Sequence, residues 1–490
     1  MIDGVRQHPT LLFVGCALMI CAGSVCAQGR GPTNWTTAGY DAQRTSWVRT
    51  DSKISSESMA KPGFGLLWKL KLEGPLTPMV VLDPYTGYRG HKSLGYLSGA
   101  SDDIYGIDTD LGIVEWHNRV SVPAKATCAG AVTSGVARPT NAAIQSAPAG
   151  RGGGARSAVA RSGVGEPLKG AVNLASVAPP RSAAATAVAP VVPAAAAVAR
   201  PNAVYGVTRD GMLQTMYVSN GADAEPPLKF VPPGAIVQGL IVVDNVAYAG
   251  TTSGCNSAPN GVWALDLISK EVHNWTTNAT TPGTAAPAFG PDGTVYWTDG
   301  LSLGALAPRT LRPTTPVAMP RQEFTSSPVV FRFNDRILLA ATERDGVHLF
   351  DSKTLAEVGS AGGNFASRAL AAWQDASGTN WILGSTANAV TAWKVMNQNG
   401  VPALQADWVS RNIASPVTPA IVNGVVFVAT GGDSPAVVYA LDALTGKELW
   451  GSGKTVTSFV HTGGLSVGAG QVYLSTEDGT MYAFGFPMEH

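Results

Sequence analysis

Charge is scarce in this sequence: Asp, Glu, Lys and Arg make up 14% of 490 residues and balance to a formal net charge of zero. Without a surplus of either sign there is no bulk electrostatic footprint for nucleic acid or for an anionic membrane surface. Long apolar runs are missing as well, and none reaches the roughly 18 residues that a spanning helix needs. Cysteine is rare. Of five, Cys16, Cys21 and Cys26 lie within the first 27 residues, which leaves Cys128 and Cys255 for the rest. No Cys-x-x-Cys-His string can attach a c-type haem, no His-Glu-x-x-His string can hold zinc, and no complete Walker loop can cradle phosphates. What is plentiful is glycine (56) and proline (33), beside 45% apolar residues, so the chain has core material and many tight turns rather than long helices.

The N-terminus has the form of an export signal. Arg6 precedes the apolar run 11–23, and Val25-Cys26-Ala27 places small residues before Gln28. The reading is a signal peptide over 1–27, a leader over 28–63 and a folded unit over 64–490, located in the periplasm or outside the cell. A lipoprotein signal at Cys16 is the rival. In an oxidising compartment Cys128 and Cys255 can form one disulfide, expected as a staple between neighbouring repeat units. Residues 141–200 are Ala-, Pro- and Gly-rich, with Glu166 as their only acid. They carry too few large apolar side chains to fold alone and are expected to be a disordered insertion, with 170–177 as a candidate displaced strand.

The informative pattern is a repeat. IYGIDTDLGIVEW (104–116), VWALDLISKEVHNW (262–275), VHLFDSKTLAEV (347–358) and VYALDALTGKELW (438–450) share an alternating strand ending in Asp, a short turn and a second strand. Asp108, Asp266, Asp351 and Asp442 occupy one place in it, where a carboxylate accepts backbone N–H bonds two residues on and closes the turn. The spacings of 85 and 91 residues between the last three each hold two units the size of a four-stranded propeller blade. Inner strands begin with a polar residue and Pro or Gly before an apolar run: Thr77-Pro78, Gln238-Gly239, Ser327-Pro328 and Thr418-Pro419. Weaker copies stand at Ala286-Pro287, Arg368-Ala369 and Gly463-Gly464, and an eighth strand is expected around 131–136. The last unit ends after three strands, and FGLLWKLKL (64–72) supplies the missing one. These features predict an all-β, eight-bladed β-propeller of four-stranded antiparallel blades, closed by an N-terminal strand. Trp68, Trp116, Trp275, Trp408 and Trp450 fall on its outer strands, where packing between blades accounts for them.

VYALDALTGKELW and its copies resemble the repeats of the pyrroloquinoline-quinone (PQQ) β-propeller family, which includes quinoprotein alcohol dehydrogenases and a periplasmic outer-membrane assembly scaffold. WTTAGYDAQRTSW (35–47) resembles the leader that precedes blade one in that family. The resemblance implies either a PQQ-dependent oxidoreductase or a non-catalytic scaffold. For the first, it implies Ca²⁺ held by carboxylate and amide oxygens, a catalytic Asp, a supporting tryptophan and commonly an adjacent Cys-Cys disulfide. No Cys-Cys pair is present, and no Glu/Asn/Asp set matches the calcium ligands. No catalytic or metal-binding residue is therefore assigned. The residues expected to line a ligand funnel are Thr77, Gln238, Ser327, Arg368, Thr418 and His461; for Trp373 packing is the preferred reading over a stacking platform. The resulting expectation is a monomeric binding or scaffold module whose partner is a small molecule or an envelope protein. PQQ with Ca²⁺ is the alternative.

Overall fold

The computed structural model describes residues 34–87, 90–99, 102–120, 135–144, 202–252, 258–279, 286–317, 323–363, 369–461 and 464–487. The segment 1–27, Cys128, Cys255, Arg368, the candidate strand 170–177 and nearly all of 141–200 lie outside them.

Eight antiparallel sheets follow one another along the chain, each a propeller blade. Blade one is Val80–Gly87, Gly90–Ser98, Asp103–Asp108 and Ile113–Arg119. Blade two is Ala203–Val207, Met212–Tyr217 and Asp223–Lys229, with Ala137 bridging Tyr205 at the inner position. Blade three is Ile236–Val243, Val246–Thr252, Asn260–Asp266 and Val272–Thr277. Blade four is Ala288–Phe289, Val295–Asp299 and Ser302–Leu306, with Pro313 bridging Leu306 outside them. Blades five and six are regular four-stranded sheets over 329–362 and 371–409. Blade seven runs from Ala420–Val422 to Glu448–Gly451. Blade eight combines Leu465–Gly468, Gln471–Ser475 and Thr480–Gly485 with Gly65–Lys71 from the other end of the chain. Leu66 pairs with Phe484 and Lys71 with Thr480, so the first long strand fills the outer position of the last blade. Two ends of one chain thus share a sheet, and the ring is closed by hydrogen bonds.

The turn aspartates work locally, as their repeated placement suggested. Asp266 Oδ1 accepts from the amides of Ile268 and Ser269 at 2.8 and 3.1 Å, and Asp442 Oδ1 from Leu444 and Thr445 at 3.1 and 2.9 Å. Asp108 and Asp351 make the same pair of bonds. Burial alone would raise the pKa of Asp266 and Asp351. Amide donors together with Arg309 and Arg336 outweigh it and hold both carboxyls below the usual carboxylate range.

Outer-strand tryptophans join one blade to the next. The indole N–H of Trp68, Trp116 and Trp408 donates to the carbonyl of Thr109, Val218 and Ala443 in the following blade, at 2.8, 2.9 and 3.0 Å. Each ring then covers a turn glycine: Gly112, Gly221 and Gly446. At Gly446 φ is +68°, and a Cβ would stand 2.4 Å from the Trp408 ring, so this turn requires glycine on both counts.

The centre of the ring is occupied by the chain itself. Residues 35–51 run along the free edges of the inner strands. The amides of Val81, Arg138, Phe289, Val330, Ala372 and Ile421 donate to the carbonyls of Trp35, Thr36, Ala42, Gln43, Thr45 and Ser46 at 2.8–3.0 Å. Those donors belong to blades one, two, four, five, six and seven. Blade three is reached by side chains, Thr37 Oγ1 to the Leu240 carbonyl and Arg44 Nη2 to the Gly239 carbonyl. Blade eight is reached by Asp51, whose Oδ2 accepts from the Gly470 amide at 2.9 Å. A second segment, 135–144, leaves blade two and crosses to blade three, where Pro139–Thr140 pairs in parallel with Val242–Val243. It meets the leader again where Gln43 Nε2 donates to the Ala142 carbonyl at 2.8 Å.

Candidate functional site

The inner strands all begin on one face of the ring, and the turns between second and third strands emerge on that same face. This is the mouth on which the sequence places its funnel. Arg368 and the segments 100–101, 121–134, 253–257, 280–285, 318–322 and 462–463 lie outside the described residues.

Thr77 is buried, and its Oγ1 accepts from the Ser98 amide at 3.0 Å while its carbonyl accepts from Ser475 Oγ of blade eight at 2.8 Å. Ser327 is buried, and its Oγ accepts from the Ala286 amide of blade four at 3.1 Å. The Ser475–Thr77 bond has equivalents: Thr298 Oγ1 donates to the Ser326 carbonyl at 2.8 Å and Ser385 Oγ to the Val417 carbonyl at 3.3 Å. In each case a hydroxyl ending the second strand of one blade holds the start of the next inner strand. These latches were missed in the sequence, although the Ser or Thr after each apolar second strand is visible there.

The remaining candidates are scattered around the rim. Gln238 is half-buried with Oε1 enclosed and unpartnered, and Thr418 is half-buried beside Pro419. His461 is exposed, and its Nε2 lies 3.0 Å from Asp433 Oδ1, beyond the bridge that joins Gly432 to Val460. Trp373 faces inward, stacked on Trp381 with centroids 6.0 Å apart, in a core cluster that includes Trp47 of the leader. The ring is buried in this packing, as the preferred reading of the sequence expects.

Arg44 lies deeper, fully enclosed below the mouth. It donates to the carbonyls of Pro287, Ala38 and Gly239 and to Thr37 Oγ1. Burial lowers its pKa to about 9 against the pull of Asp41 in the other direction. Four of its five N–H donors are thus committed to the leader and to blades three and four.

Two acids at this face were not singled out in the sequence. Asp102 is buried and accepts from both the amide and Nε of Arg209 at 2.9 and 2.8 Å, which ties blade one to blade two. Asp103 is buried with Oδ1 bonded to His117 Nε2 and Arg119 Nε at 2.8 and 2.9 Å. Two Gly-x-Ser-x-Gly strings, 300–304 and 464–468, were also passed over. The structure sets Ser302 and Ser466 within β-strands, both buried, so neither forms the strand-to-helix elbow of a serine hydrolase.

No protein-family model and no curated protein matches this chain. Solved structures do. Quinohemoprotein alcohol dehydrogenase from Comamonas testosteroni superimposes with a TM-score of 0.60 at 12% identity, over 94% of this chain and 81% of that one. The chain has the PQQ-type β-propeller fold. A europium-containing methanol dehydrogenase matches with a TM-score of 0.58 at 10% identity, over 93% of this chain and 98% of that one. The computationally designed Ika8 protein matches with a TM-score of 0.53 at 11% identity, over 86% and 100%. The fold alone does not fix an activity, so the site must be read by itself. Among the described residues, the hydroxyls of Thr77 and Ser327 and most of the Arg44 donors are bonded to strands and leader, and Trp373 packs in a core cluster. Among the described residues no helix is long and apolar enough to cross a membrane.

Proposed function

We propose that this PQQ-type propeller is an exported binding or scaffold module without dehydrogenase activity, presenting the mouth face to a small molecule or an envelope protein. The observation that carries the reading is the Ser475–Thr77 latch and its equivalents, since Thr77 and Ser327, two of the polar residues at the inner-strand starts, are spent on holding blades together. Gln238, Thr418, Arg368 and His461 are the rim positions through which a ligand would be read. A PQQ-dependent oxidoreductase with Ca²⁺ is the alternative, supported by the dehydrogenases that share the fold. Titrating the purified protein with PQQ and Ca²⁺, with melting temperature and dye reduction by alcohols and aldoses as readouts, separates the two. The proposal expects no shift and no turnover. A raised melting temperature with substrate-dependent dye reduction would establish the enzyme instead.

A further inference from the structure

The turn between the second and third strands of blade five carries Glu343, Asp345 and His348 in TERDGVH. One donor atom from each lies within 4.8 Å of the other two. Glu343 and His348 are both buried, at 1% and 3% exposure, whereas Asp345 is largely open to solvent. His348 Nε2 lies 3.1 Å from Asp345 Oδ1. Its Nδ1 is enclosed without a hydrogen-bond partner, although Glu357 Oε1 on the fourth strand is only 3.4 Å away. A neutral imidazole has one donor and one acceptor nitrogen. If Nε2–H serves Asp345, the Nδ1 lone pair faces a carboxylate, two acceptors directed at one another in a dry place. A cation among these groups removes the conflict. Arg344, between the two acids in sequence, does not supply that charge, because its guanidinium points to Glu323.

We propose that Glu343, Asp345 and His348, with Glu357 beside them, form a binding site for a first-row transition-metal dication on the mouth face of blade five. An imidazole among carboxylates suits zinc or manganese better than calcium, which prefers an all-oxygen shell. Ligands about 2.1 Å from a metal stand at most about 4.2 Å apart, close to the spacing of up to 4.8 Å within this group. With three ligands from one hairpin, and with Nδ1–H of the ligating imidazole free to donate to Glu357 on the next strand, the ion would clip the turn to the outer part of its blade. This site is independent of the reading of the mouth as a binding surface.

Zinc titration of the tag-free, chelator-treated full chain by calorimetry tests it, with manganese and calcium run in parallel. One equivalent of zinc should bind and raise the melting temperature, with calcium giving no shift at the same concentration. Asp345→Asn, at an exposed position, should weaken zinc binding by at least about tenfold, and His348→Gln should abolish it. His273→Ala removes an exposed His–Glu pair at the outer strand of blade three and should leave binding unchanged. Absence of zinc binding by the folded chain overturns the site. So does unchanged affinity in Asp345→Asn, which stays interpretable even if His348→Gln fails to fold.

Discussion

Arg44 Nη2 donates to the carbonyl oxygen of Gly239 at 2.6 Å, across 195 residues of sequence. Gly239 has φ of +64°, and a Cβ there would stand 2.5 Å from the backbone of Ala286 in the next blade. The leader, blade three and blade four therefore meet at one point, with a buried cation bonded to backbone carbonyls of both blades. Removing the guanidinium leaves three enclosed carbonyls without their donor. Arg44→Met should cost about 2–4 kcal/mol of stability, as for buried groups that lose a charged partner. Denaturant melts of the two proteins check this, and an unchanged midpoint would mean that the leader is not held where the structure puts it.

Gly446→Ala should destabilise by about 2–4 kcal/mol, combining positive-φ strain with overpacking against the Trp408 ring. Trp408→Phe, which keeps much of the ring and loses the bond to the Ala443 carbonyl, should cost less by itself. In the double variant the two losses should fall short of additive, because they act at one contact. A double-mutant cycle by thermal melting gives the coupling directly.

Closure of the ring should be acid-sensitive. Burial works against ionisation of Asp478, but hydrogen bonds from Thr476, Lys71 and Thr480 outweigh it and pull its pKa from 3.8 down to about 2. Lys71 stands on the closing strand and Asp478 in the last hairpin, 3.1 Å apart through Oδ2. A carboxyl with a depressed folded-state pKa contributes stability that is present above pH 4 and lost as pH falls toward 2. The pair is partly solvent-exposed, so the effect is small and screened by salt. Asp478→Asn should flatten the stability profile between pH 4 and 2 relative to the parent protein, and identical profiles would remove Asp478 from the closure.

Much of this fold was legible in the sequence because its signals are local. The aspartates at 108, 266, 351 and 442 close turns with amides two and three residues away, so spacing alone located them. The closing strand was readable because the last blade lacked a strand and 64–72 alternates like one. The leader's path was not. Its bonds run from backbone carbonyls between Trp35 and Ser46 to amides from Val81 to Ile421, and backbone groups carry no side-chain signature. The funnel list was only half an account of its residues. Thr77 and Ser327 were chosen for polarity at the right place, and their use as latches depends on which blade stands beside them. The Glu343–Asp345–His348 group was hidden for a related reason. An acid-rich hairpin is common, and only the burial of His348 separates it from a solvated turn.

The account rests on residues 35–51 acting as the hub to which the inner strands of blades one to seven are fastened. Hydrogen exchange of the native protein tests this most directly, because the amides of Phe289, Val330, Ala372 and Ile421 have their acceptors in the leader. They should exchange only through global unfolding, with the same protection as amides in the interior of their own sheets. Exchange of these four within minutes, beside slow exchange of their neighbours on the second strands, would contradict the hub.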